Sequence, residues 1–217
     1  MSVPIHREGY PFIALFAGVN LLAFLIATWL GIVLLPLTIW CIAFFRDPER
    51  MTPSAPDLII CPADGRLLPV VDAVPPEELG MGPMLRPRLS VFMNVFNVHV
   101  NRNPISGRVI ARSYRPGKFI NASFDKASID NERMSLRLRP EGESEEVRDL
   151  AVVQIAGLVA RRIVCDSVEG QSVQRGARFG IIRFGSRVDV YLPPGCTILA
   201  APGSFVRAGE TVLARFG

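Results

Sequence analysis

The feature that most limits how this chain can fold is a long stretch without charge. Residues 9–45 (GYPFIALFAGVNLLAFLIATWLGIVLLPLTIWCIAFF) contain no Asp, Glu, Lys, Arg or His. As one helix rising about 1.5 Å per residue, the stretch would reach about 55 Å, against about 30 Å of bilayer hydrocarbon. One straight crossing therefore fits poorly. Gly31 and Pro36 are the candidate breaks, and a break there implies a helical hairpin or a shallow re-entrant pair. The run before Gly31 is long enough to cross, whereas Ile32–Phe45 is short for a crossing. Arg7 precedes the stretch and Arg46 and Arg50 follow it, which puts both ends on the cytoplasmic side. A cleaved signal peptide would need a shorter apolar core and a small-residue cleavage site. Residues 1–45 are expected to be a membrane-associated helical segment that holds the rest of the chain at the cytoplasmic face of the cell membrane.

From Arg46 onward the pattern changes. The chain has 18 Gly and 18 Pro, and in this part they punctuate short apolar runs: Val91–Val95, Val152–Ile155, Arg162–Cys165, Gly180–Phe184, Val188–Leu192 and Thr211–Phe216. Short β-branched runs between turn signals predict a mainly β domain over 46–217, an antiparallel sandwich or barrel-like fold. Arg139–Arg148 (RPEGESEEVR) reads as a hairpin turn or exposed loop. With 49% apolar residues overall, the chain is not disordered. Four scattered Cys, with no Cys-x-x-Cys pair, exclude a disulfide scaffold, and two His leave little for a zinc site.

Of 24 basic residues only Lys118 and Lys126 are lysines. Arginine presents a planar fork that matches phosphate oxygens in pairs and suits anionic lipid headgroups. A coding bias toward arginine would give the same composition. A nucleic-acid partner is not expected: the net charge is only +4 and the basic residues are not interleaved with aromatics.

Three stretches carry candidate chemistry. Cys61-Pro-Ala-Asp64-Gly65 puts a carboxylate in a turn between apolar runs. Asn97-Val-His99-Val-Asn-Arg102-Asn-Pro104 puts a histidine after the run Val91–Val95. Arg183-Phe-Gly185-Ser186-Arg187-Val-Asp189 puts a Gly-Ser pair between two strand-like runs. Ser, His and Asp are the parts of a nucleophile–base–orienter set. Singly each has a plainer reading, as a turn, a strand-end histidine and a loop, and Gly203-Ser204 offers a second Gly-Ser.

Their order and flanks resemble the phosphatidylserine decarboxylase family in its short bacterial and archaeal form. The resemblance runs from Phe45-Arg-Asp-Pro-Glu-Arg50 through Pro62-Ala-Asp64-Gly65 and the VHVNRNP core of Phe92–Pro104 to Phe179–Asp189. It implies a proenzyme that cuts itself between Gly185 and Ser186 into a β subunit (1–185) and an α subunit (186–217). Ser186 would attack the Gly185 carbonyl with His99 as general base and Asp64 orienting the imidazole. The ester would eliminate to dehydroalanine and hydrolyse to a pyruvoyl group at position 186. That group would form a Schiff base with the amine of phosphatidylserine and release carbon dioxide and phosphatidylethanolamine. The resemblance implies no metal and no pyridoxal phosphate. Its partners would be phosphatidylserine, the bilayer and the chain's own two subunits. Longer bacterial members carry His-x-x-His-x-Pro where this chain has His99-Val-Asn-Arg102-Asn-Pro104. Arg102 thus replaces a second histidine and is a candidate contact for the substrate phosphate or carboxylate.

Two other readings compete. Leu199–Leu213 (LAAPGSFVRAGETVL) looks like the closing hairpin of lipoyl or biotinyl carrier domains, which would make the chain a membrane-tethered carrier or adaptor. Such a carrier needs a modifiable lysine at a hairpin tip, and neither Lys118 nor Lys126 lies in a matching setting. A membrane-bound serine hydrolase using Ser186 would lack a Gly-x-Ser-x-Gly elbow.

Overall fold

A computed structural model describes residues 4–119, 127–157, 162–183 and 186–217. The chain divides into two compact units. One is the N-terminal part up to Glu49 with Val95–Val98; the other is Arg50–Asn94 with His99–Gly217.

In the first unit the uncharged stretch forms two helices, α1 (Tyr10–Ile26) and α2 (Thr28–Phe44). They pack as an antiparallel hairpin: Asn20 Nδ2 donates to the Gly31 carbonyl at 3.0 Å and Thr38 Oγ1 to that of Phe16 at 3.4 Å. The break falls at Ala27, whose backbone is extended (φ −160°, ψ 128°), and not at Gly31 or Pro36. Gly31 instead permits close packing, since a Cβ there would lie 2.2 Å from the Phe24 ring. Pro36 sits inside α2, where it removes one backbone donor without ending the helix. The hairpin is closed at its base by an Ile5–Arg46 bridge and by His6 N–H donating to the Phe45 carbonyl at 2.9 Å. Residues 95–98 join this base: Trp40 Nε1 donates to the Val95 carbonyl at 3.2 Å and Arg46 Nη2 to that of Phe96 at 2.7 Å. The helix over Arg7–Ile26 is long and apolar enough to cross a membrane; α2 is a shorter apolar helix.

The second unit is mainly antiparallel β-structure. Its strands are β1 (Leu58–Ile60), β2 (Gly65–Leu67), β3 (Val71–Ala73), β4 (Arg86–Met93), β5 (Val100–Arg102) and β6 (Gly107–Arg115). After a short helix α3 (Ala127–Asp130) come β7 (Arg133–Pro140), β8 (Leu150–Ala156), β9 (Ile163–Cys165), β10 (Ser172–Val173) and β11 (Arg178–Ile182). The last four are β12 (Ser186–Tyr191), β13 (Thr197–Ile198), β14 (Phe205–Val206) and β15 (Val212–Arg215). A nine-stranded sheet runs β10-β6-β7-β8-β12-β4-β2-β14, with β3 added on β4. Two three-stranded sheets, β1-β15-β13 and β5-β11-β9, accompany it. The described residues form no closed barrel. The C-terminal hairpin is a wide one, with β13 against β15 and the intervening β14 paired to β2.

Strand alternation sorts the large sheet into two faces. Leu89, Val91 and Met93 of β4, Val152 and Ala156 of β8, and Val188 and Val190 of β12 join one continuous apolar core. Ala151, Val153, Ile155 and Tyr191 lie on the opposite face, among buried arginines that are described below.

Candidate active site

Ser186 is the first residue of β12, the strand held between β8 and β4 in the middle of the large sheet. It pairs with Ala156 on one side and Met93 on the other. Alternation turns its side chain to the apolar core face, and the residue is 0% exposed. Its Oγ finds no hydrogen-bond partner among the described residues. A buried unpaired hydroxyl costs about 1–3 kcal/mol, so this serine is not placed there for stability. Gly185 and Phe184, and with them the other side of the expected cut, lie outside the described residues.

His99 directly precedes β5 and is also 0% exposed. Its carbonyl accepts the Ile182 N–H at 3.4 Å, next to the Val100–Ile181 pair of β5 and β11. The chain therefore passes from His99's neighbour Ile182 to Ser186 in four residues, which holds those two Cα atoms within about 14 Å. Two residues along, Asn101 shares the His99 face of the strand. Asn101 Oδ1 accepts from Gln154 Nε2 at 2.8 Å, and its Nδ2 meets Met93 Sδ at 3.8 Å. Met93 is the residue that pairs with Ser186. The histidine face of β5 and the serine face of β12 thus meet in one buried region.

Asp64 lies in the turn between β1 and β2. Gly65, which follows it, must be glycine because a Cβ would lie 2.1 Å from the Phe92 carbonyl oxygen. Both carboxylate oxygens have partners: Oδ1 accepts the Ala208 N–H at 2.8 Å and Oδ2 the Arg50 guanidinium at 2.7 Å. The turn is fastened to the histidine strand through its backbone, where Arg102 N–H donates to the Pro62 carbonyl at 2.9 Å. It is fastened to the C-terminal segment as well, by Gly209 N–H donating to the Cys61 carbonyl at 2.8 Å. Beside it, burial pushes the Cys61 thiol up to about 12, so it remains protonated and inert.

Arg102 sits on the face of β5 opposite to His99 and Asn101. It is buried, and its Nη1 donates to the Gly176 carbonyl at 2.8 Å. An open cavity of about 1210 Å³, lined by Asn103, Arg108, Arg175 and Arg178 among others, includes none of Asp64, His99 and Ser186.

Of the expected site residues, the structure brings Ser186 and His99 to facing surfaces and ties Asp64 to their surroundings through backbone bonds. Arg50 and Ala208, the partners of Asp64, carry no local signal, because sequence distances of 14 and 144 residues separate them from it. Lys118 forms an ion pair with Asp130 at 3.9 Å and pairs with Asn131 through the backbone, a setting unlike a carrier's hairpin tip. Lys126 lies outside the described residues. Ser186 heads a central strand and not a strand-to-helix elbow, which separates the site from that of the α/β hydrolases.

The family model for phosphatidylserine decarboxylase matches residues 37–214. A curated phosphatidylserine decarboxylase proenzyme from Cereibacter sphaeroides is 58% identical over 211 residues, 97% of this chain and 89% of its own length. One from Ruegeria pomeroyi is 56% identical over 211 residues, 97% of this chain and 94% of its own. With that coverage and the buried serine at the head of β12, the chain belongs to the phosphatidylserine decarboxylase family.

Proposed function

We propose that this chain is a self-processing carboxy-lyase that converts phosphatidylserine to phosphatidylethanolamine and carbon dioxide, with a pyruvoyl group made from Ser186. The observation that carries the reading is the Ser186 hydroxyl, which is buried, lacks a hydrogen-bond partner among the described residues and stands at the first position of a central strand. A residue that is to become a carbonyl fits this place, because no hydrogen bond of its hydroxyl is lost in the change.

His99 takes the proton of Ser186 Oγ as the oxygen attacks the Gly185 carbonyl carbon. The 185–186 C–N bond breaks, leaving an ester and a free amine on residue 186. Elimination then breaks the Cβ–Oγ bond and frees the Gly185 carboxylate. Water hydrolyses the resulting dehydroalanine, supplying the carbonyl oxygen and releasing ammonia. The products are the β subunit (1–185) and the α subunit (186–217). Once formed, a pyruvoyl carbonyl supplies the electron sink required by the carbon that loses its carboxylate. Asp64 keeps the His99 strand and the α segment in place through Arg50, Ala208 and the Pro62–Arg102 bond.

The lipid substrate explains the hairpin. A diacyl lipid leaves the bilayer only at the cost of its buried methylenes, about 0.8 kcal/mol each, so its headgroup enzyme works at the membrane. The apolar pair α1 and α2 holds the protein there, with Arg7 and Arg46 on the cytoplasmic side.

Denaturing intact-mass spectra of the wild type and Ser186→Ala test the reading. The wild type should give two chains, the shorter one covering 186–217 and beginning in a carbonyl. Ser186→Ala should stay whole and lack decarboxylase activity. A wild type that stays whole in detergent and lipid overturns the proposal.

A further inference from the structure

The charged residues that follow Ser186 take no part in the chemistry above. On the face of β12 opposite to Ser186, Arg187 and Asp189 are 1% and 0% exposed. Arg187 is ion-paired with the Asp189 carboxylate: Nη2 donates to Oδ2 at 2.9 Å, and Nε stands 2.7 Å from Oδ1 without the alignment of a hydrogen bond. Ser128 of α3 donates from Oγ to Oδ2 at 2.9 Å. The same Oγ accepts from Arg187 and, at 3.1 Å, from Nη1 of Arg88 on β4. Arg88 Nε stands 3.8 Å from Asp189 Oδ2. Ser128 is itself held by Arg133, whose Nη1 donates to its carbonyl at 2.6 Å. Two side chains among the first four residues of β12 are thus tied to β4 and to α3.

Self-processing creates a need for such a tie. In the uncut chain residue 186 is restrained by the peptide bond before it. After the cut that bond is gone. The nitrogen of residue 186 goes too, as ammonia, so the strand also loses its first ladder donor. Chain ends fray unless something holds them, and reactive groups lose rate when displaced by about 1 Å. Apolar packing alone leaves a two-residue slip open, because a shift by two keeps every side chain on its own face. A bonded carboxylate does not, since the slip would strand a buried charge without its partners.

We propose that Arg187 and Asp189, with Arg88 and Ser128, form a pin that keeps the new N-terminus of the α subunit in register once the chain has been cut. They are positioning residues. The proposal rests on the cut between 185 and 186 described above.

The test uses full-length Asp189→Asn and the milder Ser128→Ala, each also placed in the uncut Ser186→Ala background. Intact mass reads the cut, kinetics read kcat and KM, and hydrogen exchange reads the amides of 187–191. Both variants should still cut. Asp189→Asn should lose roughly tenfold or more in kcat with KM changed less than about twofold, and Ser128→Ala about threefold in kcat. Exchange at 187–191 should quicken in the cut variants and change little in the uncut ones. Equal quickening in the uncut background, or unchanged kcat in cut Asp189→Asn, overturns the pin. If Asp189→Asn fails to fold or cut, Ser128→Ala decides on the same readouts. A wild type that never cuts overturns the processing itself, whereas a cutting wild type with either negative result overturns the pin alone.

Discussion

In the helical hairpin the apolar side chains face outward and the few polar ones inward. Leu25 and Trp29 are 77% and 67% exposed, while Asn20 and Thr38 are buried. The large sheet of the other unit does the reverse with its arginines. Arg86, Arg88, Arg133, Arg137 and Arg187 are all buried, each facing an acceptor: Asp149, Asp189, Glu78 or Ser128. Large bare apolar surfaces mark interaction sites with membrane or protein, and the membrane role proposed above matches the outward apolar face of the hairpin. In the sheet, each of these guanidinium groups is tolerated because it donates at least one hydrogen bond to a carboxylate, hydroxyl or carbonyl, although among the described residues the Nε atoms of Arg86, Arg88 and Arg187 make none.

The largest expected effect comes from breaking that pairing. Asp149 is 0% exposed and serves Arg137 at 2.6 Å and Arg139 at 2.8 and 2.9 Å. Asp149→Ala takes from Arg137 and Arg139 the buried carboxylate they share and should cost about 3 kcal/mol. Urea unfolding of the uncut Ser186→Ala chain in detergent measures it. A loss below about 1 kcal/mol would show that water reaches these arginines and that the contrast between the units is only apparent.

The same contrast explains what could be read ahead. The apolar runs at 152–155, 162–165, 180–184, 188–192 and 211–216 overlap β8, β9, β11, β12 and β15, with Phe184 outside the described residues. β6 and β7 were not legible, because RMSLRLRP reads as a charged segment until its arginines are seen to be buried and paired. The arginine bias suggested phosphate or lipid contacts; at least five of these residues serve the interior. The run Val91–Val95 caught only the end of β4, which stops at Met93 before residues 95–98 leave for the hairpin base. The hairpin itself was expected, but its break at Ala27 has no Gly or Pro to mark it. Ser186 and His99 stood out because their flanking motifs are specific. Arg187 and Asp189 were visible in the same motif, yet only the two-residue alternation of β12 shows that they face away from the chemistry.

A smaller effect tests the rule that this interior admits charge only in pairs. Cys61 is buried and its thiol is raised from the usual 9.0 to about 12, chiefly by burial and also by the nearby Asp64, with a backbone hydrogen bond at Ala63 acting in the opposite sense. Among the described residues no cation compensates a thiolate there. A raised folded value means that the folded state keeps its proton longer than the unfolded one. The contribution is therefore complete below about pH 9 and lost as pH rises toward 12. By pH 10 the loss should be about 1 kcal/mol. Cys61→Ala should remove that slope from the stability curve, whatever it costs at pH 7. An unchanged slope would mean that the thiol can ionise in place.

The smallest effect belongs to the hairpin. Asn20 lies in α1 with its amide on the Gly31 carbonyl, and Gly31 sits where Phe24 packs against α2. In water a buried asparagine that loses its role leaves a costly gap, but a lipid-facing hairpin has no hydrophobic penalty for a leucine in its place. Interhelical hydrogen bonds in membranes average about 0.6 kcal/mol. Asn20→Leu should thus change thermal unfolding in detergent by less than about 1 kcal/mol, well under the Asp149→Ala loss. If the two losses are equal, the hairpin interior behaves like that of the sheet, and its outward apolar residues must be covered by protein instead of lipid.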